Sequence, residues 1–227
     1  MRYLLFLTLA VLMIGCGKKE TRVEISEEER PAEFLKFGNQ FYQDKDYENA
    51  FRAYGFIYYN HPTSREYIDA AIGLSRCYGA LENYDKAFSI LHELLQNNLI
   101  PTKVPDIYNA IAEFYERSAG ISEELSGAGE KDFHTAIDYY KKSIEYPNSE
   151  NMTAKGFAQY RIGSLYESMT DFTKALKAYE TTRDNYTGTE WATRAEESII
   201  ALNQRIQRRN EYQQSGLLPD STGATPQ

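Results

Sequence analysis

Apolar and small residues recur along residues 31–188 at helical spacing, and the block they form is repeated. Gly38 and Phe41 are followed by Tyr47, Ala50 and Tyr54; Ser75 and Tyr78 by Tyr84, Ala87 and Leu91; Gly163 and Tyr166 by Phe172, Ala175 and Tyr179. In each copy twelve residues separate the small residue of a first helix from the alanine of a second. A further copy, Ala112 and Tyr115 followed by Phe133, Ala136 and Tyr140, spreads that interval to twenty-four. Small residues let paired helices approach and aromatics fill the space between pairs. One pair buries too little to stand alone, so neighbours must stack.

The pattern predicts helices over Ala32 to Asp44, Tyr47 to Tyr59, Arg65 to Gly79, Tyr84 to Gln96, Pro105 to Ala119, Lys131 to Glu145, Ala154 to Ser168 and Phe172 to Asp184. His61-Pro62, Asn97-Asn98, Pro147-Asn148 and Thr187-Gly188 break helical hydrogen bonding between copies. A last helix, Glu190 to about Gln214, grows polar beyond Leu202, as an end cap should. The twelve additional residues of the third copy, near 118–130, are rich in Gly and Ser and are expected to form a flexible loop that could project toward a partner. Gly127-Ala128-Gly129 lacks the lysine and hydroxyl of a phosphate loop.

The spacing resembles the tetratricopeptide repeat, carried best by Phe34, Phe37-Gly38, Phe41, Ala50, Tyr54, Ile57 and Pro62. The second copy departs by Ser75 and by lacking the late proline, the third by its insertion, the fourth by Gln159. The resemblance implies an all-α fold: a right-handed solenoid of about four helix pairs over 31–214 with a C-terminal capping helix. It also implies a concave groove lined by first helices: Leu35, Asn39 and Tyr42; Ile72 and Arg76; Asn109, Glu113, Glu116 and Arg117; and Tyr160, Ser164 and Glu167. Repeats that clamp a terminal carboxylate place a basic residue where Leu35 stands, so that mode is disfavoured.

The amino-terminal end has a different pattern. Arg2 precedes an apolar run from Tyr3 to Ile14, too short to span a bilayer, which reads as a signal peptide over 1–15. Leu12-Met13-Ile14-Gly15-Cys16 resembles a bacterial lipoprotein processing box, with Met13 in place of the usual leucine. The resemblance makes Cys16 the lipidated first residue and, with Gly17 after it, favours the outer membrane with the chain facing the periplasm. Residues 16–30 are polar and form a tether, whose fourteen residues after the cysteine reach at most roughly 46 Å. The tail 215–227 is expected to be disordered.

Composition narrows the functional classes. Formal charge is −8, and loss of 1–15 removes only Arg2, so a nucleic-acid role is disfavoured. Arg205, Arg208 and Arg209 read as a solvated face. With Cys16 lipidated, Cys77 is the one thiol left, which allows no internal disulfide and suits a small buried residue. His61, His92 and His134 lie in different copies and imply no metal, and no cofactor is implied. Serines and threonines have no paired base, so no catalytic residue is readable and the chain is expected not to be an enzyme. The nineteen tyrosines exceed what packing needs: Tyr42, Tyr58, Tyr59, Tyr139 and Tyr160 lie outside the core offsets, fit for an interface or for edge packing.

These readings together describe a membrane-anchored scaffold that docks other envelope proteins or peptides. Length, anchor, repeat number and the Tyr58-Tyr59-Asn60-His61-Pro62-Thr63-Ser64 junction resemble the BamD family of outer-membrane assembly lipoproteins, from which the third-copy insertion departs. Other envelope machines of division or the cell wall, and ligand capture, remain open, as does the oligomeric state.

Overall fold

The computed structural model describes residues 30–97, 100–126 (backbone alone over 122–126) and 129–214. Signal peptide, Cys16, most of the tether and the tail lie outside the described residues. Among those described there are nine α-helices and no strand: α1 Arg30–Gln43, α2 Tyr47–Asn60, α3 Tyr67–Ala80, α4 Tyr84–Asn97, α5 Val104–Ser126, α6 Glu130–Glu145, α7 Met152–Ser168, α8 Phe172–Asn185 and α9 Glu190–Gln214, with a short 3-10 turn Pro101–Lys103 before α5. No helix among the described residues is long and apolar enough to cross a membrane. Each helix packs on the next, and α1, α3, α5, α7 and α9 also touch in sequence, so odd-numbered helices share one face. This is the all-α solenoid of helix pairs expected from the pattern.

In the first and fourth pairs the small residue of the first helix is a socket for the tyrosine sixteen positions later. A Cβ on Gly38 would lie 2.6 Å from the Tyr54 ring, and one on Gly163 2.6 Å from Tyr179. Tyr54 is held from its other side by Gly73 of α3, where a Cβ would come within 2.5 Å of the ring. Tyr54, Tyr140 and Tyr179 are buried, and each hydroxyl donates to a first helix: Tyr54 to Asn39 Oδ1 (2.8 Å), Tyr140 to Glu116 Oε2 (2.9 Å), Tyr179 to Glu167 Oε2 (2.9 Å). A buried hydroxyl needs such a partner. The second pair does it differently. Leu91 fills the place of the tyrosine, Ser75 turns its hydroxyl to the Ile72 carbonyl at 2.7 Å, and Gly79 stands where the acceptor would be. Phe114 of α5 occupies that opening, so close that a Cβ on Gly79 would be 2.0 Å from its ring.

The turns inside the first, second and fourth pairs are one motif. Lys45, Glu82 and Thr170, seven residues past the small residue, have φ of 61°, 61° and 59°. The amide of each reaches back to Tyr42, Gly79 or Glu167, and the next amide, of Asp46, Asn83 or Asp171, to Phe41, Tyr78 or Tyr166. This double bond pattern closes a helix at a left-handed residue. Asp46 and Asp171 then cap α2 and α8, accepting from the amides of Asn49 (3.2 Å) and Lys174 (3.1 Å).

The third pair departs from the expected loop. Helix α5 does not end at Ala119 but runs to Ser126, so the insertion is mainly additional helix, lengthening the pairing of α5 with α6. Ala119 is fully buried, and nothing lies within 4 Å of where a Gly120 Cβ would sit. One glycine costs a helix only about 1 kcal/mol relative to alanine, less than tertiary packing supplies.

Candidate functional site

The odd-numbered helices line a concave cavity of about 520 Å³, bounded by Tyr42 of α1, Arg76 of α3, Glu113, Glu116 and Arg117 of α5, and Phe157 and Arg161 of α7. Its charges are ordered by pairing between successive inner helices. Arg76 grips Glu113 with Nε to Oε2 at 2.9 Å and Nη2 to Oε1 at 3.1 Å. Arg161 meets Glu116, its Nε 3.2 Å from Oε2, and Arg205 of α9 meets Glu167 at 2.7 Å. Glu116 and Glu167 therefore each serve two partners, the tyrosine of their own pair and an arginine of the next inner helix. Such fork-shaped pairs fix the spacing of the helices that carry them. Burial raises Tyr140 and Tyr179 well above the ordinary phenol range, so both remain protonated donors.

Arg117 is the exception. Among the described residues it has no acidic partner; its guanidinium lies over the Phe114 ring, 5.9 Å from the centroid. The cavity thus holds three guanidinium groups against two carboxylates in a chain of net charge −8.

A second cavity of about 250 Å³ adjoins the first through Arg76, Glu113 and Phe157 and continues to Asp106, Asn109, Asn151 and Trp191. Asn109 is 3% exposed; its Nδ2 donates to the Ala154 carbonyl at 2.9 Å. Asn151 caps α7 and donates to Asp106 Oδ2 at 2.8 Å. Burial pushes the Asp106 carboxyl up to about 6, with Lys103 opposing and Asp69 adding to the rise. Lys103 is itself tied to both oxygens of Asp69, at 2.6 and 2.7 Å.

The structure sorts the residues proposed from the sequence. Tyr42, Arg76, Glu113, Glu116 and Arg117 meet at the first cavity and Asn109 at the second. Ile72, 4% exposed, belongs to the core, and Leu35 packs against that core. Asn39 receives the Tyr54 hydroxyl. Tyr160 is covered by α9: its ring lies 5.6 Å from Trp191 and its hydroxyl 3.3 Å from Ser198 Oγ. Glu167 is occupied by Tyr179 and Arg205, while Ser164 accepts the Ser168 hydroxyl at its carbonyl. Phe157, Arg161, Asp106 and Trp191 were not legible; only an arginine across from Glu116 could have flagged Arg161. Of the additional tyrosines, Tyr58 stacks on Tyr67 and Tyr139 on Tyr115, whereas Tyr59 is 64% exposed. Cys77 is fully buried, and burial pushes its thiol up to about 12. No cluster of three or more His, Cys, Asp or Glu fit for a metal occurs among the described residues.

Residues 157–189, which take in α7 from Phe157 onward and all of α8, match the tetratricopeptide repeat family. The repeat is thus a finding for the fourth pair, and it supports a scaffold for protein–protein interaction. Two solved structures are similar to the chain at low identity. One, described as the crystal structure of MamA, is 18% identical, covers 77% of this chain and 97% of its own, and superposes with a TM-score of 0.40. The other, described as the crystal structure of MamA protein, is 16% identical, covers 87% and 99%, and gives 0.41. No curated protein sequence matches the chain.

Proposed function

We propose that the protein is a docking scaffold of the bacterial cell envelope, anchored through lipid on Cys16 to the outer membrane and facing the periplasm. Its concave cavity receives a segment of a partner protein. The observation that carries this reading is Arg117. Every other charged group of the first cavity is paired inside the fold, so a carboxylate of a partner finds one guanidinium available, in a cavity also lined by the half-buried Tyr42 and Phe157. Tyr and Arg at the centre of a recess are the residue types that anchor protein interfaces.

Within this reading the chain acts as a BamD-like component of outer-membrane protein assembly. The alternatives are a scaffold for division or cell-wall machinery, or ligand capture. Isolation of the native lipidated protein from gently solubilised membranes, with identification of what accompanies it, separates these. A barrel assembler supports the first; division, cell-wall or uptake proteins support the others. Arg117→Glu should reduce recovery of the partner at least tenfold with the melting temperature unchanged, and undiminished recovery moves the interface off the concave face. Cys16→Ser should release the protein from membranes and abolish palmitate labelling; retained labelling removes the anchor.

A further inference from the structure

Two residues that line the second cavity each carry a buried polar atom, of opposite character, with no hydrogen-bond partner among the described residues: Asn109 Oδ1 and Trp191 Nε1. Asn109 cannot relieve its oxygen by turning over, because its nitrogen is committed to the Ala154 carbonyl. Trp191 is held by edge contact with Phe157 at 4.9 Å and by Tyr160. Leaving either atom unpaired costs the fold free energy that packing must offset. Asp106, beside them, already accepts from Asn151.

We infer that this cavity is a carboxamide-binding subsite, in which a bound amide accepts from Trp191 Nε1–H and donates to Asn109 Oδ1. One acceptor and one donor in the ligand satisfy both orphaned atoms, and among the groups a protein partner can offer, an amide supplies both in one plane. A carboxylate would set its charge against Asn109 Oδ1 and Glu113, and an ammonium would leave Trp191 Nε1–H unmet. The inference rests on the concave face being the docking surface, since the cavity opens beside Arg76 and Phe157 of that face. The amide is either an Asn or Gln side chain of the docked segment or one of its peptide groups.

Trp191 is the only tryptophan of the chain, so its indole N–H gives a single signal in the nitrogen–proton spectrum of the labelled full chain. N-acetylglutaminamide, with the glutamic acid and methionine counterparts as shape controls, would be titrated while that signal is followed. A saturable downfield shift with the glutamine compound, at least tenfold weaker with both controls and in Asn109→Leu, supports a side-chain amide. Equal shifts with all three compounds, lost in Asn109→Leu, support a peptide amide. No shift with the unaltered chain, or shifts that survive Asn109→Leu, overturn the subsite. Because these small probes need no docked partner, failure here is distinct from failure of the Arg117→Glu experiment.

Discussion

The second and fourth helix pairs solve the same packing problem with different chemistry. In the fourth, Gly163 opens a slot, the Tyr179 ring fills it, and Glu167 takes the hydroxyl while also holding Arg205 of the next inner helix. In the second, Leu91 fills the slot beside Ser75, Gly79 replaces the acid, and Phe114 comes in from the third pair. The acidic position therefore either joins neighbouring inner helices by charge or, vacated, joins them by an aromatic ring. A repeat position reads correctly only together with its partners sixteen residues on and one pair further along.

Four substitutions test how separate these solutions are. Leu91→Tyr should be the most damaging, because it brings a hydroxyl to a site whose acceptor position is glycine and overfills a fully buried place; a loss of roughly 3 kcal/mol or more is expected by urea unfolding. A near-neutral result would show the two sockets to be interchangeable. Gly163→Ala should cost about 1–3 kcal/mol, since the added Cβ would meet the buried Tyr179 ring at 2.6 Å. Gly120→Ala, with open space around it, should instead raise stability by up to about 1 kcal/mol. Equal changes at the two glycines would mean that helix propensity alone is being read. The smallest effect belongs to Tyr179→Phe, about 1 kcal/mol, because Glu167 keeps Arg205 when the phenol is lost. A loss as large as that from Gly163→Ala would make the hydroxyl, and not the ring, the main contributor.

The helix pairs were legible because their signal is local: the small residue, the alanine twelve positions later and the breakers between copies all act within one pair. Helix α5 was misread beyond Ala119 because the Gly and Ser content suggested a loop, while burial of Ala119 and pairing with α6 are long-range facts that composition does not carry. For the concave face, offsets placed Tyr42, Arg76, Glu113, Glu116 and Arg117 together but could not tell a free group from a committed one. Glu116 and Arg117 are adjacent in sequence, yet one is held by Tyr140 and Arg161 and the other makes no ion pair among the described residues. Trp191 stayed hidden because the capping helix has no counterpart in the repeat, although it folds over α7 and covers Tyr160.

The turns at Lys45, Glu82 and Thr170 bear on how far this fold stands from its own optimum. A left-handed backbone costs a side-chain-bearing residue on the order of 1 kcal/mol, and glycine escapes most of that. The chain spends this strain three times over, at equivalent joints with equivalent hydrogen bonds. Its thermal tolerance is accordingly set below what the same architecture can reach, and the three joints mark where a hardier descendant could arise without moving a single helix.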